Sequence, residues 1–270
     1  MGNRIKPIAH RTASAIHHLL FPPRCIACGD LLAPFTDTEA VFCPLCRTQW
    51  ESAVAEASEQ AAEDAERGMI YLTFYRSGRT DGIPERLIYH LKHHGSPRAF
   101  HFVAERLAPR VLRAAGTLPT VAPATTDGIL DDSLFSSPNG TAGPILFTYP
   151  PRRRSAVSRD GFDQASLLAK ALSEVCGGDY ASLIRRTRRF SGEQKRLDAE
   201  ERSDNAFRAY QLRKNAAETL RGRTVAVCDD LCTTGATLNR CAELLVEAGA
   251  ELVILVTVEK TGKDTKILRY

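Results

Sequence analysis

The segment from residue 224 to residue 258 constrains the fold of this chain more than any other. It contains the apolar run TVAVC, a polar turn, the helical pattern ATLNRCAELLVEAGA and the apolar run LVILVTV. Two strands separated by a helix form a parallel pair, because parallel strands need a long crossover connection. The segment therefore predicts an α/β fold.

The same alternation of strand and helix begins at residue 69. Residues 69–75 and 145–151 have the composition of short buried strands, whereas residues 84–95, 98–116 and 162–178 have helical spacing. We expect a parallel sheet with helices on both faces, extending over residues 69–270. Within it, residues 119–144 are rich in Pro, Gly and Ser and indicate a surface loop or insertion.

Four of the eight cysteines form the pattern C-x2-C-x14-C-x2-C near the N-terminus, namely Cys25, Cys28, Cys43 and Cys46. Two such pairs can close a tetrahedral shell of thiolates around Zn²⁺ and leave no coordination site open. The pattern predicts a structural zinc ribbon over residues 21–50, with two disulfides or free thiols as the alternative. The Ala- and Glu-rich residues 51–68 indicate a solvated helical connector.

Bulk composition excludes few classes of function. The 270 residues are 43% hydrophobic and carry a formal net charge of +4, which permits a polyanionic partner without demonstrating one. No apolar run approaches the length of a membrane span, and the N-terminus lacks a clean signal-peptide core. We expect a cytoplasmic protein with no membrane association.

The turn after TVAVC carries the clearest chemical signal. Asp229 and Asp230 would lie at the carboxyl edge of the sheet, where ligands bind in open parallel sheets. The next helix would offer unpaired backbone N–H groups to a phosphate. Carboxylates suit neighbouring sugar hydroxyls, so the turn predicts a sugar-phosphate site, with an ordinary capped strand-turn-helix as the alternative. The turn residues are Thr233, Thr234, Gly235, Ala236 and Thr237.

This turn resembles the phosphoribosyl-diphosphate (PRPP) motif of type I phosphoribosyltransferases. The blocks PERLIYHLKHHG, GFDQASLLAKALS and RRFSGEQKRLDAEERSDNAF resemble the ComF, or GntX-like, family. That family joins an N-terminal zinc ribbon to a phosphoribosyltransferase domain. The resemblance covers nearly the whole chain, apart from the first twenty residues and the 119–144 segment.

The resemblance implies a role for each matching residue. Asp229 and Asp230 would contact the ribose hydroxyls, and residues 233–237 would hold the 5′-phosphate. Arg152 and Arg153 would belong to a pyrophosphate loop, and Mg²⁺ would bridge the diphosphate and the ribose. Residues 186–207 would form a flap. The matching residues in the flap and in the family's LK block are Gln194, Arg202, Asn205 and Lys92.

Two positions depart from the family pattern. Asp160 and Asp163 stand where the family has an arginine and an asparagine. An acid beside a diphosphate site would repel the ligand unless Mg²⁺ screens it. We expect these departures to affect turnover more than the binding of PRPP.

Two functions stay open at this level. The first is an enzyme that binds Mg–PRPP and transfers the phosphoribosyl group to an acceptor the sequence does not identify. The second is a non-enzymatic protein that binds single-stranded DNA or a competence-machinery protein, with PRPP or a nucleotide as regulatory ligand. Arg185, Arg186, Arg188 and Arg189 fit either function, as a flap or as a grip on nucleic acid.

Overall fold

The computed structural model describes residues 22–32, 41–116, 143–187 and 209–262. The predicted loop up to residue 142 and the predicted flap from residue 188 lie outside these ranges. The flap residues Gln194, Arg202 and Asn205 therefore stay predictions.

Helices and strands are interspersed from residue 69 onward. The helices are α1 (Pro44–Ala65), α2 (Ile83–His94), α3 (Pro97–Ala114), α4 (Arg154–Asp160), α5 (Gln164–Cys176), α6 (Ala216–Leu220) and α7 (Ala236–Glu247). The strands are β1 (Met69–Ile70), β2 (Thr73–Tyr75), β3 (Leu146–Thr148), β4 (Asp179–Tyr180), β5 (Ile184–Arg186), β6 (Tyr210–Leu212), β7 (Thr224–Cys232) and β8 (Leu252–Thr261). Within the described ranges, no helix is long and apolar enough to cross a membrane.

The main sheet is parallel, with the strand order β1–β8–β7–β3–β4. β2 also pairs with β8, and the N–H of Leu72 donates to the carbonyl of Val258 at 3.0 Å, so residues 69–75 form one interrupted edge. The long strands β7 and β8 occupy the centre. The predicted parallel α/β architecture is confirmed.

Both faces of the sheet are covered. On β7, Val225 and Val227 pack on the face that holds α7, while Ala226 and Cys228 pack on the face that holds α3 and α5. This alternation follows from the two-residue period of a strand. Each fully buried Val, Leu or Ile contributes about 1.5–3 kcal/mol, which explains why the central strands are apolar on both sides.

A second, antiparallel pair joins β5 to β6, with Ile184 opposite Leu212. The sequence predicted no strand at β5 and placed Arg186 at the start of the flap. Leu183 and Ile184 are buried and anchor this strand beside the main sheet. The two apolar residues stand directly before the arginine run, which masked their signal.

The cysteine-rich N-terminal module packs directly on the α/β domain. The ring of Trp50 lies 5.8 Å from that of Phe42 and 6.2 Å from that of Phe102 on α3. The Arg86 side chain donates to the carbonyl of Ala27 at 2.7 Å. These contacts place the module against α2 and α3.

Helix α1 runs without a break from the cysteine module through the predicted connector. It begins at Pro44, directly after Cys43, and ends at Ala65. The predicted connector is helical up to Ala65 and largely exposed, but Ala57, Ala61 and Asp64 are buried against β1 and β2. These residues are four and three positions apart and therefore form a narrow stripe along one side of α1. The small alanine side chains let this side of the helix pack closely on the strands.

A buried ion pair fixes the end of α1 to the end of β8. Lys260 Nζ lies 2.7 Å from Asp64 Oδ2, and the Tyr71 hydroxyl donates to the same oxygen at 3.0 Å.

We expect Asp64→Ala to lower the free energy of unfolding by about 3–5 kcal/mol, because Lys260 keeps a buried, uncompensated charge. Denaturant unfolding measures the change. The control is Arg67→Ala, which removes an exposed partner of Asp64 and should cost under about 1 kcal/mol. Equal losses in the two variants would contradict the prediction.

Candidate functional site

The paired aspartates lie inside β7. The strand was predicted to end at Cys228, but it extends to Cys232, with Asp229 opposite Thr257 and Leu231 opposite Glu259. That boundary was wrong because β8 continues as a pairing partner beyond its apolar run. The aspartates nevertheless occupy the carboxyl end of a central strand, where open parallel sheets bind ligands.

The two aspartates have different surroundings. Asp229 is partly exposed and lines a small pocket with the turn that follows β7. Asp230 is 5% exposed, and its Oδ2 lies 3.2 Å from Lys92 Nζ. Its Oδ1 accepts a hydrogen bond from the Gln164 amide at 3.4 Å. Of the two carboxylates, only that of Asp229 lines the pocket, whereas Asp230 is held beneath it by residues from α2 and α5.

Burial also changes the protonation of this site. Burial, followed by the neighbouring charge of Asp230, raises the pKa of Asp229 well above the ordinary range for a carboxyl. Lys92 opposes this shift. The pKa of Glu259, which is fully buried on β8, is likewise raised well above its ordinary range by burial and by Glu85.

The turn after β7 presents the start of a helix to the pocket. Gly235 has a φ of +79°, a left-handed conformation that favours glycine, and α7 begins at the next residue. The N–H of Ala236 donates to Thr234 Oγ1 at 3.4 Å, and the Thr261 hydroxyl donates to the carbonyl of Thr233 at 3.0 Å. The pocket has a volume of about 50 Å³ and is lined by Asp229 and residues 231–238. The predicted site residues Asp229, Thr233, Thr234, Gly235, Ala236 and Thr237 therefore meet at one pocket.

The predicted pyrophosphate loop is built around the two departures from the family pattern. Asp160 Oδ2 accepts from Arg152 at 2.9 Å, and Asp160 Oδ1 accepts from Arg159 at 2.8 Å. The hydrogen bond from Arg159, together with Arg152, lowers the pKa of Asp160 to about 2. Asp163 Oδ2 accepts the backbone N–H of Arg152 at 3.0 Å. Asp160 is thus paired with two arginines, whose charges offset its own in this loop.

The two loops are joined through the start of α5. Asp163 precedes this helix and binds the backbone of Arg152, while the adjacent Gln164 binds Asp230. Arg153 is exposed at the start of α4. Gln164, Glu85 and Glu259 were not identified as site residues in the sequence. Glu259 could have been suspected, since an acid directly follows the apolar run LVILVTV.

Arg185 and Arg186 of the arginine run, and two histidines of α2, have local partners. Arg185 donates to Gln211 Oε1 and Arg186 donates to the Tyr210 hydroxyl, both at 2.8 Å across the β5–β6 pair. His90 is half-buried and stacks on His94 with 4.7 Å between the rings. Among the described residues, no third metal ligand joins these two histidines.

The four cysteines near the N-terminus come together as predicted. The Sγ atoms of Cys25, Cys28, Cys43 and Cys46 all lie within 4.8 Å of one another. Cys28 Sγ and Cys43 Sγ are 3.7 Å apart, too far for a disulfide. A tetrahedral Zn²⁺ with Zn–S distances of about 2.3 Å places its sulfurs roughly 3.8 Å apart. The cluster therefore fits a closed, structural metal site.

Comparisons with known proteins agree with this architecture. Residues 156–269 match the phosphoribosyl transferase domain. Over 93 residues the chain is 34% identical to competence protein F of Haemophilus influenzae, a match that covers 34% of this chain and 40% of the relative. The resemblance to the ComF family is therefore confirmed, by the matched domain, this relative and the four-cysteine cluster.

Two solved structures are also similar, at a lower level. One is the allosteric regulatory enzyme of purine biosynthesis, with 14% identity and a TM-score of 0.34. The other is the glutamine PRPP amidotransferase of B. subtilis complexed with ADP and GMP, with 14% identity and a TM-score of 0.35. Each match covers 63% of this chain and 30% of the other.

Proposed function

We propose that this chain, which carries a phosphoribosyl transferase domain and resembles the ComF family, binds Mg–PRPP or a related ribose 5-phosphate. The observation that carries the proposal is the single pocket shared by Asp229 and the turn before α7. The turn supplies the backbone N–H groups of a helix start, which attract a phosphate. The carboxylate accepts hydrogen bonds from sugar hydroxyls at the same place.

The Lys92–Asp230 pair gives this site a means of responding to its ligand. Lys92 is about one-third exposed and can exchange its partner, whereas Asp230 is buried. A diphosphate offers Lys92 a second anion, and release of the lysine frees the Asp230 carboxylate for the ribose. Gln164 keeps Asp230 in place during this exchange, because its amide donates to the other carboxylate oxygen.

The diphosphate would lie toward Arg152 and Arg153. Arg152 Nη1 is buried and has no hydrogen-bond partner within the described ranges, and Arg153 is exposed beside it. Mg²⁺, when bound with PRPP, supplies charge neutralisation between the diphosphate and the carboxylates. We also assign Zn²⁺ to the four-cysteine cluster, where it stabilises the module that packs on α2 and α3.

The reaction that fits this site is displacement of pyrophosphate. A nitrogen of the acceptor forms a bond to C1′, the C1′–O bond to the diphosphate breaks, and the pyrophosphate leaves with the electron pair. The acceptor's proton passes to solvent or to the leaving group. Positioning and charge stabilisation perform most of the catalysis in such a reaction, which suits a site that holds carboxylates, arginines and a lysine.

Isothermal calorimetry with Mg–PRPP tests the binding, and a screen of nitrogenous acceptors for pyrophosphate release tests the turnover. We expect saturable binding that requires Mg²⁺, with pyrophosphate release for at least one acceptor. No binding at any Mg²⁺ concentration would contradict the proposal. Binding without release for any acceptor would restrict the function to ligand recognition.

The similarity to competence protein F favours a second candidate, a nucleic-acid-binding protein with PRPP or a nucleotide as regulatory ligand. Its signature is binding of a labelled single-stranded oligonucleotide that weakens steeply with salt. This binding should survive Asp229→Asn with Asp230→Asn, because neither carboxylate would contact a phosphate backbone. Loss of oligonucleotide binding in that double variant would place both ligands at one site.

A further inference from the structure

A hydrogen-bonded pair of side chains in the β5–β6 ladder lies next to the candidate site. Arg186 and Tyr210 are opposite each other in this antiparallel pair of strands, which is separate from the main sheet. Arg186 Nη1 donates to the Tyr210 hydroxyl at 2.8 Å, and the guanidinium carbon lies 5.1 Å from the centre of the tyrosine ring. The proposed binding of PRPP gives neither residue a role.

The tyrosine reaches the turn that follows β7. Tyr210 is 6% exposed and belongs to the same core cluster as Leu238 and Cys241 of α7. Its hydroxyl makes a hydrogen bond with the side chain of Thr237, which is the second residue of α7 and lines the pocket. The hydroxyl of Tyr210 is therefore shared between an arginine and a pocket residue. We call Arg186, Tyr210 and Thr237 the hydrogen-bond relay.

The direction of the relay follows from the chemistry of its members. A guanidinium donates and cannot accept, so Arg186 uses a lone pair of the Tyr210 oxygen and leaves the phenol proton for another acceptor. Burial raises the pKa of Tyr210 to about 12, so this proton is present at neutral pH. When the phenol donates to Thr237, the threonine keeps its own proton for an acceptor in the pocket. The relay therefore runs from the arginine toward the pocket.

We propose that Arg186 and Tyr210 are positioning residues that orient the Thr237 hydroxyl to donate to a phosphate oxygen at the start of α7. This inference rests on the proposed function and adds to it two residues that would not touch the ligand. Hydrogen bonds in a series polarise one another, so Arg186 strengthens Thr237 as a donor through Tyr210. The relay thereby favours the phosphorylated form of the sugar, because a phosphate oxygen is an anionic acceptor.

The neighbouring arginine offers a matched control. Arg185 precedes Arg186 in β5, and successive side chains of a strand point to opposite faces. Arg185 is exposed and donates to Gln211 Oε1 at 2.8 Å, across the same pair of strands. Arg185→Ala therefore removes the same charge and a similar hydrogen bond, but no member of the relay.

Calorimetry with ribose 5-phosphate and Mg²⁺ compares the wild type with Tyr210→Phe, Arg186→Ala and Arg185→Ala. Tyr210→Phe keeps the buried ring and removes only the hydroxyl. We expect Tyr210→Phe and Arg186→Ala each to weaken binding about three- to ten-fold, which is the usual effect of one lost hydrogen bond. Arg185→Ala should bind as the wild type does. Arg186→Lys keeps the charge and a donor and should recover part of the loss.

A double-mutant cycle with Thr237→Val separates positioning from a structural role. Thr237→Val removes the last hydroxyl of the relay with little change in shape. Because Tyr210 would act on the ligand through that hydroxyl, Tyr210→Phe should have almost no further effect on affinity when Thr237→Val is already present. A tyrosine that only holds β6 against α7 would lower the affinity by the same factor in both backgrounds. Thermal unfolding of each variant shows that it is folded.

Three results would overturn the proposal in distinguishable ways. Equal affinity of Tyr210→Phe and wild type for ribose 5-phosphate would remove the relay but keep the sugar-phosphate site. An equal loss from Tyr210→Phe with and without Thr237→Val would leave Tyr210 a structural role only. No binding of ribose 5-phosphate to the wild type would remove the proposed function itself, and the relay with it.

Discussion

Replacement of both Asp229 and Asp230 with asparagine is expected to lower the affinity for Mg–PRPP at least about 100-fold. A hydrogen bond to a charged group contributes about 1.5–3 kcal/mol, and each 1.4 kcal/mol is a factor of ten in affinity. Loss of two such carboxylates therefore costs about 3–6 kcal/mol of binding. Calorimetry on the double variant measures this loss. An exposed acid outside β7 that pairs with Arg79 provides the control, and Asp81→Asn should bind as the wild type does.

Replacement of Asp229 alone should increase stability at neutral pH. Burial raises the pKa of Asp229 above its ordinary 3.8, so the folded state binds this proton more tightly than the unfolded state. The stabilisation that this pKa shift gives the folded state is fully present below pH about 3.8. It is lost as the pH rises through the pKa that Asp229 has in the folded protein. Asparagine does not ionise, so the single variant Asp229→Asn should exceed the wild type in stability at pH 7 and match it near pH 3.5.

The two effects together separate function from folding. A variant that fails to bind PRPP and yet unfolds at higher denaturant concentration has lost its ligand contacts and kept its fold. Retained PRPP affinity in the double variant would contradict the assignment of the sugar site. A loss of stability at pH 7 in Asp229→Asn would contradict the protonation described for the site.

Loss of the metal from the four-cysteine cluster is expected to unfold the N-terminal module. Structural Zn²⁺ contributes an apparent free energy of about 10–16 kcal/mol to small domains at pH 7, which a module of this size cannot replace with its own core. Cys46→Ser removes a ligand that is buried at the start of α1. We expect protein without bound zinc, a disordered module and a lower midpoint of thermal unfolding.

The fluorescence of Trp50 reports this change directly. It is the single tryptophan of the chain, it is 1% exposed, and it packs between Phe42 and Phe102. Removal of the metal, by chelation or by Cys46→Ser, should shift its emission to longer wavelength. The control is Cys176→Ser, which alters a thiol on α5 outside the cluster. Protein purified under reducing conditions with no zinc and unshifted Trp50 emission would contradict the metal assignment.

The sequence predicted those parts of the fold whose signals are local. The apolar residues of β7 and of β8 form continuous runs in the sequence, and those of α7 recur with helical spacing. The cysteine cluster was equally readable, because the ligand spacing is contained in a single short segment. The turn residues 233–237 were identified for the same reason.

The remaining features depend on contacts between distant residues. The partners of Asp230 come from positions 92 and 164, on two different helices, and no local pattern connects them. The buried pair of Asp64 and Lys260 joins residues almost two hundred positions apart, so α1 read as solvated. The ion pairs of Asp160 with Arg152 and Arg159 likewise could not be predicted from the sequence, because they depend on how the loop folds.

The central claim is that the turn between β7 and α7 holds the phosphate of a phosphorylated ribose. Backbone amide chemical shifts test it most directly, by titration of ¹⁵N-labelled protein with ribose 5-phosphate in the presence of Mg²⁺. We expect the largest and saturable changes at the amides of Thr234, Gly235, Ala236 and Thr237, with smaller changes at Asp229. Shifts confined to other parts of the chain, or no saturable shift at any of these amides, would contradict the claim.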